Sequence, residues 1–291
     1  MYPAIAVIAV IISMISIQLG TTLAKQLFPL LGVPGTTMLR TTLAALILGA
    51  YARPWRGPPL SREAKVTVAV YGLAIGAMNL TFYLSISRIS LGVAVALHFI
   101  GPLAVTCFNT KRVVDLFWIA VAGLGVVLLL ASSMHSGQEA IDPLGVAFAL
   151  FGALCWATYI VFARRSSQLI ASSRATALGM MVATVVVLPF GIYHQQESLL
   201  SANIWLYAPL VALLSCAIPY SLEMVALTRL PNKTFGILMS LEPAFAALSG
   251  YLVLHEKMYT QQWFGIAAIM TASASSVLSA PNSANAAPVA P

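Results

Sequence analysis

The stretch GILMSLEPAFAAL, residues 236 to 248, is apolar enough for a membrane-buried helix except at Glu242 and Pro243. It has a partner earlier in the chain, HFIGPLAV at residues 98 to 105, in which a Gly-Pro pair stands at the matching positions. Proline removes a backbone donor and bends or breaks a helix, so both stretches predict helices that are interrupted inside the membrane. Only the later copy carries a carboxylate, which predicts that the two interruptions are not equivalent.

The match extends beyond these two interruptions. SISRISLGVAVALHFIGP, residues 85 to 102, aligns with ALTRLPNKTFGILMSLEP, residues 226 to 243, so that Arg88 meets Arg229 and the two prolines coincide. Self-similarity at a fixed distance is the sequence sign of a repeat architecture. The chain is therefore interpreted as two related halves.

The composition is that of an integral membrane protein. Of 291 residues, 60% are hydrophobic and only 8% are charged, and the mean hydropathy is +0.91, whereas soluble domains carry about 25% charged residues. About ten apolar segments are long enough to cross the hydrocarbon core. They lie near residues 4 to 24, 34 to 52, 66 to 86, 89 to 108, 114 to 132, 143 to 163, 175 to 193, 204 to 223, 234 to 254 and 260 to 279.

A first repeat over residues 4 to 132 and a second over residues 143 to 279 divide these segments equally, and residues 280 to 291 are expected to form a disordered tail. Because each half holds an odd number of helices, the second half enters the membrane upside down. The predicted fold class is an all-α integral membrane protein with ten transmembrane helices as two inverted five-helix repeats. Inverted repeats are typical of secondary transporters, which bind substrate near the midplane where the halves meet.

The charge pattern sets the expected topology. The net charge is +7, and most basic residues fall in short loops on the side of the two termini, so the positive-inside rule places both termini in the cytoplasm. Arg40, Arg88 and Arg229 are interpreted as marking membrane interfaces and short turns. No basic patch of the kind that binds nucleic acid is present. The cysteines lie in apolar segments without paired spacing or neighbouring histidines, so neither a disulfide nor a metal site is expected.

Glu242, Glu223 and His98 are the ionisable residues inside predicted membrane segments that most need an explanation, because an ionisable group there costs at least about 2.5 kcal/mol. For Glu242, binding of a proton or of a substrate ammonium is favoured over a structural role beside Pro243. Glu223 is interpreted either as a site residue or as a side chain that pairs near the inner end of its helix. His98 either lines a cavity and exchanges a proton or is packed in the core.

Five uncharged residues share faces with these groups. Gln18 and Asn79 carry amides that need a partner in a membrane helix, either a substrate or a polar group on another helix. Trp156, Tyr159 and Tyr220 are of types that more often serve as packing or interface anchors, and only their shared face makes them candidates.

Four stretches carry a resemblance to a known family. They are ISIQLGTTLAKQLFPLLGVPG (15 to 35), YGLAIGAMNLTFYLSI (71 to 86), GVAVALHFIGPLAV (92 to 105) and PYSLEMVALTRLPNKTFGILMSLEPAFAALSGYLVLHE (219 to 256). Nearly the whole chain resembles the bacterial threonine/homoserine exporters of the drug/metabolite transporter superfamily, which carry two EamA repeats. The sequence departs from that pattern at His98, where an acidic residue is expected.

The resemblance implies a secondary active exporter of small neutral amino acids, chiefly threonine and homoserine, in the bacterial cytoplasmic (inner) membrane. It further implies coupling to protons, alternating access, a surrounding lipid bilayer and no cofactor, and it leaves a homodimer open. In that scheme Glu242, or Glu223 as second candidate, binds the substrate ammonium. The groups for the substrate carboxylate are Gln18, Asn79, Tyr159 and Tyr220.

Two rival functions are considered beside this one. A buried Glu beside aromatic residues also suits an exporter of cationic drugs or of other small metabolites in the same superfamily. A membrane-embedded enzyme has little support, because the sequence holds no G-x-S-x-G, no H-E-x-x-H and no paired catalytic His and Asp near a Ser.

Overall fold

The computed structural model describes residues 2–110, 113–131, 141–194, 202–230 and 232–279, and within them every regular element is a helix. The helices are α1 Tyr2–Gln26, α2 Phe28–Ala52, α3 Arg62–Ile86, α4 Leu91–His98, α5 Ile100–Thr110, α6 Val113–Ala131, α7 Pro143–Leu169, α8 Ser172–His194, α9 Ala202–Ala212, α10 Ile218–Arg229, α11 Asn232–Met239, α12 Glu242–Val253 and α13 Thr260–Ser279. A 3-10 turn, Pro54–Arg56, follows α2. The predicted tail from 280 to 291 lies outside the described residues.

Helices of membrane-spanning length account for much of the described chain. Six stretches are long and apolar enough to cross a bilayer: Ile5–Gln26, Phe28–Ala52, Arg62–Ile86, Pro143–Leu169, Ser172–Tyr193 and Thr234–Val253. Three shorter apolar stretches accompany them: Leu91–Val105, Phe117–Leu129 and Tyr207–Glu223. Many large apolar side chains also point outward, such as Leu154 and Val185, which are 63% and 69% exposed. The fold is therefore an all-helical membrane fold, while the count of ten spans and the cytoplasmic termini stay predictions.

Both helix interruptions that the sequence predicts are present at matching positions. One separates α4, which ends at His98, from α5. The other separates α11, which ends at Met239, from α12, and there the Leu241 N–H donates to the Leu238 carbonyl at 3.0 Å in a tight turn. In each case the proline two or three residues later lacks the N–H that would continue the regular ladder.

The segment predicted near residues 204 to 223 is longer than expected and contains a defect. Five residues, Leu213–Ala217, form a π-helical segment that joins α9 to α10. Pro219 cannot donate to the carbonyl of Ser215 four residues earlier, so that carbonyl is free to accept from another helix. Helical defects of this kind occur often at functional sites.

Close packing of the helices depends on small residues. Gly20 of α1 lies so near the backbone of Leu214 and Ser215 that a side chain there would collide with it. Gly92 at the start of α4 faces Ala247 of α12 in the same way. Because lipid tails are as apolar as the helix surfaces, such close backbone contact is a main source of helix association in membranes.

Candidate functional site

A cavity lies between α1, α2, α3, α7, α10 and the two interrupted helices, and it encloses about 690 Å³ with its open mouth included. The side chains that line it are Ile17, Gln18, Thr21, Arg40, Met78, Asn79, Phe82, Tyr83, Val95, His98, Trp156, Tyr159, Ser215, Tyr220, Glu223, Met239 and Glu242. All eight residues that the sequence singles out are therefore brought together, although they come from six different helices.

Two carboxylates form the acidic part of the wall. Glu242 begins α12 and is 8% exposed, and its Oε2 atom has no hydrogen-bond partner among the described residues. The N-terminal end of a helix favours a negative charge at that position. Glu223 of α10 accepts a hydrogen bond from Ser13 Oγ at 3.1 Å. Glu223 thus lies in the cavity wall, and its role as a site residue stays a prediction.

Arg40 forms the basic part of the wall. It is only 3% exposed, so its interpretation as an interface marker is wrong. Its guanidinium donates to Asn79 Oδ1, donates to the Ser215 carbonyl at 3.4 Å and lies 4.1 Å from the centre of the Tyr83 ring. The predicted start at residue 34 agrees with a break in α2 at Gly32, which has a φ of 62°. The error comes instead from the contacts of Arg40 with α3 and the π-helical segment, which no local pattern reveals.

The two amide residues behave differently. Asn79 Nδ2 donates to the Ile75 carbonyl at 2.9 Å and to Tyr220 Oη at 3.4 Å, and its Oδ1 is taken by Arg40. Asn79 therefore joins helices, which was the alternative to direct substrate binding. Gln18, by contrast, is 3% exposed and its Oε1 has no hydrogen-bond partner in the part of the chain that the structure describes. Gln18 thus keeps an acceptor free.

The Asn79–Tyr220 contact also bears on the repeat. The two residues are 141 positions apart, which is the offset that aligns the two interrupted helices. Residues related by an internal twofold axis contact each other only close to that axis. The cavity therefore lies where a pseudo-twofold axis of the predicted repeats would pass.

Aromatic side chains close another wall of the cavity. The His98 ring contacts Phe82 and Trp156 edge to face, with ring centres 5.2 Å and 5.1 Å apart. Tyr159 lies 6.5 Å from Tyr220, ring centre to ring centre. His98 both lines the cavity and is packed, and its Nδ1 has no hydrogen-bond partner among the described residues.

No metal centre is found within the described residues, where no group of three or more His, Cys, Asp or Glu side chains converges. Cys155 and Cys216 are buried free thiols. The cavity instead offers charged and polar groups of both signs, which suit a small polar organic molecule.

A second charged cluster lies apart from the cavity, and we refer to it as the Glu256 junction, formed by Lys25, Leu91 and Glu256. Glu256 Oε1 pairs with Lys25 Nζ, and Oε2 accepts the Leu91 N–H at 2.8 Å. The junction connects the end of α1, the start of α4 and the segment after α12. No local sequence pattern reveals the junction, because its members are distant in the chain.

Comparison with known proteins gives consistent results. The EamA-like transporter family matches residues 143–278. The threonine/homoserine exporter RhtA of Salmonella typhimurium strain SL1344 is 44% identical over 273 residues, which cover 94% of this chain and 91% of the relative. The protein of the same name from Escherichia coli strain K12 is 44% identical over 276 residues, with the same coverage.

The fold also resembles a solved crystal structure. That structure is 16% identical in sequence, has a TM-score of 0.58, and the match covers 95% of this chain and 99% of the other. At this identity the likeness concerns the fold alone. Together with the apolar helices, the relatives place the chain among multi-pass proteins of the bacterial inner membrane.

Proposed function

We propose that this chain, which belongs to the EamA-like transporter family, exports small neutral amino acids, with threonine and homoserine as main substrates. Membership of that family makes it a transporter rather than an enzyme. The observation that carries the proposal is Glu242, a buried cavity carboxylate with one oxygen unpartnered among the described residues. Such a group needs a cation, and a substrate ammonium or a proton supplies one. The names of the two relatives support the choice of substrate.

Proton coupling follows from competition for the same carboxylate. Glu242 binds either the substrate ammonium or a proton, so proton entry from outside displaces the amino acid. Glu223, which also lines the cavity, keeps one oxygen bonded to Ser13 and serves as the second proton acceptor. An inward proton gradient then drives outward movement of the amino acid.

Alternating access is supported by the uneven packing of the interrupted helices. The two segments α4 and α12 pack together where Gly92 meets Ala247, and the Glu256 junction ties the start of α4 to the segment after α12. The other two segments pack mainly elsewhere, α5 on α7 and α13, and α11 on α13 and α1. With both termini in the cytoplasm, this arrangement is closed on the outer side. Outward opening then requires the junction to break, as one repeat rocks against the other.

The rival function, export of permanently cationic drugs, fits the cavity less well. Its aromatic wall suits a cation, but Arg40 lies in the same cavity and repels a molecule that carries only positive charge. A zwitterion tolerates both the arginine and the carboxylates.

Efflux from proteoliposomes tests this proposal. Vesicles that contain the purified full-length protein are loaded with labelled threonine, and efflux is measured with and without a pH gradient. We expect efflux that the gradient accelerates, that homoserine inhibits and that tetraphenylphosphonium leaves unchanged. Inhibition by tetraphenylphosphonium but not by homoserine would favour the drug exporter, and absence of gradient dependence would contradict proton coupling.

A further inference from the structure

Arg40 is a buried cation without a matching anion. Arg40 is 3% exposed. It takes part in neither of the two ion pairs found among the described residues, which are Lys25–Glu256 and Arg88–Asp142. Burying a charge without a counter-ion is expensive in a protein interior and in a membrane. An unpaired charge in a cavity wall therefore indicates that the molecule entering the cavity carries the opposite charge.

The hydrogen bonds of Arg40 fix its position without neutralising its charge. Its oxygen acceptors, Asn79 Oδ1 and the Ser215 carbonyl, are both neutral, and the side chain of Cys216 is a further neighbour. Its Nε atom has no hydrogen-bond partner in the described part of the chain, and a guanidinium has five N–H donors in a rigid fork. The Tyr83 ring supports the group from one face. The fork is thus held in place with donor capacity left over.

We propose that Arg40 binds the carboxylate of the transported molecule and so restricts transport to substrates that carry one. This assignment rests on the proposed amino-acid transport. Arginine is suited to the task because its fork matches the two oxygens of a carboxylate. Gln18 and Glu242 line the same cavity, and each presents an oxygen that has no partner among the described residues, which gives the substrate ammonium an acceptor.

The assignment changes the role of Asn79. Its amide is used by the Ile75 carbonyl, Tyr220 and Arg40, so it is a positioning residue that orients the guanidinium. The carboxylate-binding role passes from the amides and tyrosines to the arginine. The competing view is that Arg40 only connects α2 to α3 and to the π-helical segment, in which case its loss would lower stability without changing ligand preference.

Binding of two matched ligands distinguishes these views. Threonine and threoninamide differ in the carboxylate but share the ammonium and side chain, and calorimetry on purified full-length protein gives both dissociation constants. We expect the wild type to bind threonine at least about 30-fold more tightly, and Arg40→Gln to bring the ratio of the two constants close to one by weakening threonine alone. Arg88→Gln, which removes an arginine outside the cavity, is expected to keep the wild-type ratio.

Each other result contradicts the assignment. A wild-type ratio retained in Arg40→Gln, an equal loss of both ligands, or a wild type without preference overturns the carboxylate role while leaving transport intact. A wild type that binds no amino acid overturns the proposed function as well. If Arg40→Gln does not fold, Arg40→Lys is the second variant, because lysine keeps the charge but not the fork. A ratio of the two dissociation constants between the wild-type value and one supports the carboxylate role. The full wild-type ratio overturns it.

Discussion

The cavity and the Glu256 junction both hold charged groups away from water. Only in the junction does the protein itself provide a partner for each charge. In the junction, Lys25 and the Leu91 N–H occupy both oxygens of Glu256. In the cavity, Glu242 has an oxygen with no partner among the described residues, and no described carboxylate pairs with Arg40.

This difference separates charges that hold the fold from charges that serve a ligand. A matched buried pair is satisfied by the protein itself, so its loss should appear in stability. An unmatched buried charge is satisfied only when something enters the cavity, so its loss should appear in binding and transport.

The largest effect is expected for the cavity carboxylate. Glu242→Gln should lower labelled threonine efflux by about 10- to 100-fold, because a charge-assisted hydrogen bond contributes about 1.5–3 kcal/mol. The measurement is efflux from cells at equal protein level, over a range of external pH. Glu63→Gln, at an exposed position in the first turn of α3, is the matched control and should be silent. Wild-type efflux with unchanged pH dependence in Glu242→Gln would remove Glu242 from the mechanism.

A smaller effect, on stability rather than affinity, is expected at the Glu256 junction. The side chains of Lys25 and Glu256 are 24% and 13% exposed, so solvent weakens their attraction. Glu256→Gln should cost about 1 kcal/mol, or about 2–4 °C in Tm, and any change in threonine affinity should accompany that loss, because opening breaks the junction. A cycle with Lys25→Gln and the double variant checks the pairing. Strictly additive losses, or a loss of affinity without a loss of Tm, would contradict the division.

The smallest effect is expected at the exposed Arg88–Asp142 pair. Two hydrogen bonds lower the pKa of Asp142 below its ordinary value of 3.8. The one from Arg88 has the larger effect, and the one from the Leu144 N–H has a smaller effect. A lowered folded-state pKa contributes stability above the ordinary value, and that stability is lost as the pH falls through the lowered one.

The Tm of wild type and of Asp142→Asn, followed with pH, measures this contribution. The wild type should be slightly more stable near neutral pH, and the difference should shrink once the pH falls below 3.8. Because the side chains of Arg88 and Asp142 are 42% and 33% exposed, added salt should weaken the difference too. A gap that widens on acidification would show that the pair is not its source.

A feature could be predicted from the sequence when residues close together in the chain determine it, and not when residues far apart do. The interrupted helices follow from local chemistry, since Pro102 and Pro243 cannot donate to the preceding turn wherever the helix lies. Placement of Gln18 and Tyr159 in one cavity followed from a polar face on an apolar helix, because such a face avoids lipid. Their role in substrate binding stays a proposal.

Arg40 and Glu256 could not be placed in this way. The role of Arg40 depends on its contacts with Asn79 of α3 and Ser215 of the π-helical segment, which lie far from it in the chain. The contacts of Glu256 join residues far apart in the chain, and no local pattern reveals them. The one available signal was Arg40 itself, since an arginine within an apolar helix already suggests a functional site.

A structure determined with threonine bound tests the central claim most directly, that the unmatched charges of the cavity are completed by a zwitterion. The account predicts threonine inside the cavity, with its carboxylate at hydrogen-bond distance from the Arg40 guanidinium and its ammonium toward Glu242. Threonine bound elsewhere, or bound in the cavity with its carboxylate away from Arg40, would contradict it.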